Sequence, residues 1–139
     1  KGVYFADMFG KSHAYASQTF GSGRESSLLM LCEAALGNIK SYRVPEYVED
    51  LPPQYQSVQG EGRRGPDYDH SIKLPNGIEV PCGPVGAYDR PEPAPAATGL
   101  LAQPAPMLQA NEFVVYNTDQ IRMRYLIQVV DKSKEELSK

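Results

Sequence analysis

The sequence predicts an α+β fold made mostly of antiparallel strands, with one short helix. Short runs of β-branched and aromatic residues recur along the chain and are separated by turn residues. Only the segment near the N-terminus is assigned as a helix, and residues 121–130 alternate at first between apolar and polar side chains. The chain has 139 residues, of which 41% are hydrophobic, enough for one domain with its own core.

The first 26 residues predict a strand, a helix and a loop. Residues 2–6 (GVYFA) are aromatic and β-branched, which is typical of a strand. Asp7 can cap the short helix predicted over residues 7–17. The Gly/Ser-rich segment 19–26 predicts a loop.

The continuous apolar run 27–36 (SLLMLCEAAL) fits either a strand or a helix, because periodicity alone does not separate the two. We favour a buried strand, since helices of this length usually show a polar face. A second strand is predicted over 38–44. Residues 45–65 predict a loop, within which 56–59 fits a short strand.

The second half of the chain predicts a hairpin turn, a long loop and two strands. Asn76 and Gly77 form a strong turn signal ahead of an apolar pair. Residues 81–106 hold seven of the 12 prolines and predict an extended surface loop. Strands are predicted over 112–116 and, half-buried and antiparallel, over 121–130, with a turn at 118–120 and a charged, frayed tail after 130.

Composition excludes several classes of function. The net charge of −3 gives no general attraction to nucleic acid or to an anionic membrane. No apolar run approaches the ~20 residues of a membrane helix, and the first residues do not resemble a signal peptide. Cys32 and Cys82 lack metal-ligand spacing, which predicts free thiols in a reducing compartment and no metal site.

Four side chains suggest a binding site for a flat cationic ring. Tyr4 and Tyr15 could offer aromatic faces, Ser12 a hydroxyl donor and Glu112 an isolated carboxylate that stabilises positive charge. The simpler alternatives are that both tyrosines belong to the core, that Ser12 lies on a helix surface and that Glu112 faces water.

Five ordered segments resemble the catalytic domain of poly(ADP-ribose) polymerases. The segments, which together cover nearly the whole chain, are KGVYFADMFGKSHAYA, LLMLCEAALGN, LPPQYQSVQGEGRRGPD, NGIEVPCGP and NEFVVYNTDQIRMRYLIQV. The resemblance implies the C-terminal part of an ADP-ribosyltransferase fold over residues 1–130. It leaves out a Pro/Ala-rich insertion near 87–108 and the tail 131–139.

The family pattern for catalysis is a His, a Tyr and a Glu, and the resemblance places the last two at Tyr4 and Glu112. It further implies that Tyr15 stacks on the nicotinamide of NAD and that Ser12 donates to its carboxamide oxygen. Gly2 and Lys11 are implied to lie beside the substrate, although an exposed lysine is the simpler alternative for position 11.

The resemblance implies an enzyme that transfers ADP-ribose from NAD, its substrate, to protein side chains and releases nicotinamide. A Glu at position 112 is typical of members that elongate poly(ADP-ribose), while Ala110 stands where makers of long branched polymer often carry an aromatic residue. Protein acceptors and the polymer are the implied partners, with DNA contacted only through other domains. The implied role is in DNA repair, the implied location is nuclear, and no membrane is involved.

Neither His13 nor His70 stands in the His-Gly context of the family. We therefore expect the catalytic His to precede residue 1, and the segment 1–139 to be inactive by itself. Two alternatives stay open: a module that binds NAD or ADP-ribose without turnover, and a piece that only supplies the core of a larger catalytic domain.

Overall fold

The computed structural model describes residues 2–19, 26–88 and 104–130. Helix and strands follow in this order: β1 (Val3–Phe5), α1 (Phe9–Thr19), β2 (Ser26–Ala34), β3 (Ile39–Tyr42), β4 (Ser57–Gly60), β5 (Gly62–Pro66), β6 (Ile72–Lys73), β7 (Glu79–Val80), β8 (Val85–Ala87), β9 (Leu108–Ala110), β10 (Glu112–Val115) and β11 (Ile121–Val130). The predicted α+β class, mostly antiparallel with one short helix, is confirmed.

The central sheet has the strand order β1-β10-β4-β3. Strand β10 lies antiparallel to both β1 and β4, and β3 joins β4 in parallel. Its β-branched and aromatic side chains form the buried apolar core of the described residues, namely Val58, Phe113, Val114 and Val115. The first residue of β10, Glu112, pairs with Gly60 of β4 at one end of this core.

Strands β2 and β11 form a two-stranded antiparallel ribbon with a register shift between Met123 and Tyr125. The strand predicted for the apolar run 27–36 is therefore confirmed, but the prediction that this strand is buried is wrong. Leu28 and Leu126 keep 51% and 65% of their surface exposed. The half-buried prediction for β11 fails for the same reason: no third strand covers the ribbon among the described residues.

Three strands overlap segments that the sequence predicted as loops. Strand β5 lies within 45–65 except for its last residue, Pro66, and β8 lies within 81–106. Strand β9 begins at Leu108, the last position of the region assigned to the insertion. Strand β5 pairs with β8 in antiparallel and with β9 in parallel. Its sequence, GRRGP, has no strand propensity of its own, so distant pairing partners determine its conformation.

The turn predicted at Asn76-Gly77 is confirmed. It joins β6 and β7, Gly77 has φ 81°, and Leu74 N–H donates to the Ile78 carbonyl at 2.8 Å. Residues 20–25, 89–103 and 131–139, which hold most of the predicted Gly/Ser loop, most of the insertion and the charged tail, lie outside the described residues.

Helix α1 begins at Phe9, two residues later than predicted. Asp7 does not cap it, because the Asp7 carboxylate accepts hydrogen bonds from Tyr68 and Asn111 instead. Both cysteines are free, as predicted. None of the helices in the described ranges is long and apolar enough to cross a membrane.

Candidate active site

Tyr4 and Glu112 lie on the same face of the central sheet. Tyr4 is the antiparallel partner of Val114, and Glu112 stands two positions before Val114 on the same strand. Paired residues and residues two apart on a strand point to the same face. The sheet register therefore brings together an aromatic ring and a carboxylate more than ninety positions apart in sequence.

Helix α1 supplies the opposite wall. Lys11 and Tyr15 are one helical turn apart, and Ser12 lies beside them. Together with the sheet they enclose a cavity of about 460 Å³, here named the clamp cavity. It is lined by Tyr4, Phe5, Ala6, Lys11, Ser12, Tyr15 and Glu112.

The Lys11 ammonium group joins this helix to the strand that carries the acid. Its Nζ donates to Glu112 Oε2 at 2.8 Å and to the carbonyls of Ala110 and Asn111 at 3.1 and 3.2 Å. These three bonds use all three donors of the ammonium group. Only 15% of the Lys11 side chain and 24% of that of Glu112 are exposed. The structure therefore contradicts the two simpler alternatives, an exposed side chain for Lys11 and a carboxylate of Glu112 that faces water.

The two tyrosines are not core residues. Tyr4 and Tyr15 keep 64% and 62% of their surface exposed, yet both line the clamp cavity. A tyrosine of the core would hide its ring among apolar neighbours. Here both rings border the same cavity as the Ser12 hydroxyl and the Glu112 carboxylate.

Gly2 lies outside the clamp cavity. It lines a neighbouring groove of about 540 Å³, named the sheet groove, which shares Tyr4 and Glu112 with the clamp cavity. A Cβ at Gly2 would approach Val114 Cγ1 to 2.5 Å, so this position needs glycine to pack against β10. Tyr116 also lines the groove, and burial raises the pKa of its phenol.

Sequence reasoning missed two groups of residues at this site. Phe5 and Ala6 line the clamp cavity because they follow Tyr4 along the chain. Asn111, which directly precedes Glu112 in the chain, is only 1% exposed. Its side chain donates hydrogen bonds to Asp7 and to the Tyr88 hydroxyl. The position of Asn111 next to the candidate acid was the sequence feature that could have indicated its role.

The comparison with protein families decides the relationship. The model of the poly(ADP-ribose) polymerase catalytic domain matches residues 1–131. The chain belongs to the poly(ADP-ribose) polymerase family. The resemblance drawn from the five sequence segments is thereby confirmed, and the chain is assigned to a family of ADP-ribosyltransferases.

Curated poly(ADP-ribose) polymerases support the same relationship. The chain is 38% identical to "Poly [ADP-ribose] polymerase 2" of Arabidopsis thaliana and 37% identical to "Poly [ADP-ribose] polymerase 2" of Homo sapiens. It is also 37% identical to "Poly [ADP-ribose] polymerase 1" of Caenorhabditis elegans. Each comparison covers 93% of this chain, which spans 18%, 20% and 13% of the three relatives, respectively.

Within the described residues, no three His, Cys, Asp or Glu side chains are grouped so that they could hold a metal ion. The clamp cavity is bordered by the Glu112 carboxylate, the Lys11 ammonium group, the Ser12 hydroxyl and the rings of two tyrosines. These groups suit the binding of a cationic heterocycle and the stabilisation of a developing positive charge.

Proposed function

We propose that the complete gene product transfers ADP-ribose from NAD to protein side chains, releases nicotinamide and elongates the product into poly(ADP-ribose). One observation carries the proposal: the Glu112 carboxylate borders the same cavity as Tyr4, Ser12 and Tyr15. A carboxylate at this place can stabilise the positive charge that develops on the ribose when its bond to nicotinamide breaks.

The clamp cavity suits the nicotinamide end of NAD. Tyr15 stacks on the cationic pyridinium ring and Tyr4 packs on its other side, an attraction of about 1 kcal/mol or more once water is excluded. Ser12 donates its hydroxyl proton to the carboxamide oxygen. A ligand without that oxygen leaves the donor unpaired, so this bond confers selectivity.

Glu112 acts on the ribose. Cleavage of the bond between ribose C1′ and the nicotinamide nitrogen leaves the electron pair on neutral nicotinamide and positive charge on the ribosyl ring. The carboxylate accepts a hydrogen bond from the 2′-hydroxyl and stabilises that charge. An acceptor oxygen then bonds to C1′ and releases its proton to the surrounding water. Lys11 holds the carboxylate in place through the 2.8 Å contact.

Elongation requires a second approach to Glu112. A further cavity of about 520 Å³ borders Lys11, Tyr15 and Glu112 and is also lined by residues of β9, among them Ala110. The terminal ribose of a growing chain can enter here and present its 2′-hydroxyl to the same carboxylate. Because Ala110 offers no aromatic surface, we expect weak acceptor binding and short, sparsely branched polymer.

A second candidate is a module that binds nicotinamide without turnover. Neither histidine lines the clamp cavity: His13 stacks on Phe9 at 5.4 Å, and His70 pairs with Asp67 at 2.7 Å. The segment 1–139 by itself fits this candidate. Measurable automodification by this polypeptide in the presence of NAD would refute it.

The remaining features come from the family relationship. Protein acceptors and the polymer are the proposed partners, DNA is contacted through other parts of the gene product, and the location is nuclear. The role in DNA repair and the absence of a membrane partner belong to the same proposal.

Nicotinamide release and polymer length, measured on the complete gene product, test the proposal. Glu112→Gln should lower turnover by about 10²–10³-fold, the range for loss of one transition-state contact, and abolish polymer while nicotinamide still binds. Glu49→Gln, at an exposed position, is the matched control. Long polymer from the Glu112 variant, or no nicotinamide release by the wild type, contradicts the proposal.

A further inference from the structure

We propose that Asp7 is a positioning residue which, together with Asn111 and the hydroxyls of Tyr68 and Tyr88, fixes Glu112 relative to helix α1. This inference rests on the proposed function, because the task it assigns to Asp7 is to hold the carboxylate that acts on ribose. The four side chains are named the Asp7 network.

Asp7 connects the two walls of the clamp cavity. It lies three residues after Tyr4 and two before the start of α1. Its Oδ2 accepts hydrogen bonds from Asn111 Nδ2 at 2.7 Å and from the Tyr68 hydroxyl at 2.8 Å. Both bonds are charge-assisted, a class roughly twice as strong as neutral hydrogen bonds.

Asn111 passes this restraint on to Glu112. Its Oδ1 accepts from the Gly62 N–H at 2.9 Å, and its Nδ2 also donates to the Tyr88 hydroxyl at 2.9 Å. Two donors and one acceptor of the amide are therefore in use, and the side chain has a single fixed orientation. The next residue in the chain is Glu112, so the position of Asn111 determines where β10 begins.

The two tyrosines close the Asp7 network. Tyr88 accepts from Asn111 and donates to the Pro66 carbonyl at 3.3 Å, which ties the network to β5. Tyr68 donates to Asp7 from a short 3-10 helix (Tyr68–His70). Burial, and the negative charge of Asp7, raise the pKa of the Tyr68 phenol, so this hydroxyl keeps its proton as a donor.

Lys11 and Asp7 restrain the same short segment from two sides. The ammonium group binds the carbonyls of residues 110 and 111, whereas Asp7 binds the side chain of 111. Glu112 is therefore aligned by main-chain and side-chain contacts at once. A displacement of about 1 Å at a reacting group can cost 10²-fold in rate, so loss of this alignment should reduce turnover more than NAD binding.

The test compares Tyr68→Phe, Tyr88→Phe and their double variant in the complete gene product. Each change removes one hydroxyl and keeps the ring. The double variant should lower kcat for nicotinamide release by about tenfold, with KM for NAD changed by less than about twofold. Asp7→Asn, which keeps an acceptor oxygen, should retain more activity than Asp7→Ala. Tyr125→Phe, on β11 outside the network, is the control.

A readout without turnover separates this inference from the proposed function. The carboxyl carbon of Glu112, assigned with Glu112→Gln, is followed by ¹³C NMR. Asp7→Ala should shift its resonance, whether or not the protein cleaves NAD, while Tyr125→Phe leaves it unchanged. An unchanged Glu112 signal in Asp7→Ala, or an unchanged kcat in the double variant of an active protein, overturns the inference.

Discussion

The ammonium group of Lys11 lies 2.8 Å from Glu112 Oε2, across 101 positions of sequence. The contact joins helix α1 to the first residue of β10, and both side chains are mostly shielded from water. An ion pair in such a place is screened less by salt than a surface pair. The candidate catalytic acid is therefore held by the same helix that carries two of the proposed nicotinamide contacts, Ser12 and Tyr15.

Replacement of Lys11 by Met should destabilise the protein. Met keeps the apolar stem but leaves Glu112 Oε2 and two carbonyls without their donor. Loss of hydrogen bonds to a charged group lowers the free energy of unfolding by about 1.5–3 kcal/mol. Urea denaturation measures the change, and Lys73→Met, at an exposed position on β6, is the control. Equal stability of the two variants would show that the Lys11 contacts do not hold the site together.

Most of the clamp cavity was predictable from sequence. Tyr4, Lys11, Ser12 and Tyr15 lie within 12 positions of one another, so one strand and one helix were enough to bring them together. To place Glu112 beside them, the register between β1 and β10 is also required, and the sequence alone does not give that register. Glu112 was assigned to the site from the family pattern.

The Asp7 network was not predictable in the same way. Its bonds join residues 61 and 104 positions apart, and no local pattern encodes such a pairing. Strand β5 shows the same principle, because GRRGP becomes a strand only between β8 and β9. The burial of β2 was mispredicted because its apolar composition says nothing about which layer covers it.

Ser12→Ala should remove selectivity for the carboxamide group. The affinity for nicotinamide should fall by roughly two- to tenfold, as expected for one hydrogen bond, while the affinity for 3-methylpyridine, which lacks the carboxamide, should not change. Calorimetric titration with both ligands measures this. Ser17→Ala is the control, because the Ser17 hydroxyl is bound to the backbone of its own helix. Equal losses for both ligands would exclude a specific contact to the carboxamide.

Gly62→Ala should unfold or strongly distort the site, whereas Gly86→Ala should be tolerated. Both glycines lie in strands that pair with each other. A Cβ at Gly62 would clash with the backbone of Ala110 and Asn111, whereas a Cβ at Gly86 meets nothing within 4 Å. Backbone cannot move aside as a side chain can, so we expect a loss of more than about 2 kcal/mol at Gly62. Thermal unfolding of the two variants measures this, and equal midpoints would contradict the predicted clash.

Alkaline pH should weaken the contribution of Tyr68 to stability. Burial raises the pKa of its phenol above the ordinary value of 10.0, and the charge of Asp7 acts in the same direction. When the pH exceeds the ordinary pKa of 10.0, the unfolded chain loses the Tyr68 proton while the folded chain keeps it. The unfolded state then binds fewer protons, so the free energy of unfolding falls as the pH rises. Below it, this contribution is fully present.

Comparison of the wild type with Tyr68→Phe isolates that contribution, because phenylalanine has no proton to lose. The difference between their free energies of unfolding should be constant between pH 7 and about 9. It should then shrink as the pH rises beyond about 10, the ordinary phenol pKa. Urea denaturation at each pH measures it, and the plateau at lower pH serves as the internal control. A difference that stays constant to pH 11 would mean that the Tyr68 phenol ionises as readily in the folded protein as in the unfolded chain. The hydrogen bond to Asp7 would then not restrain its proton.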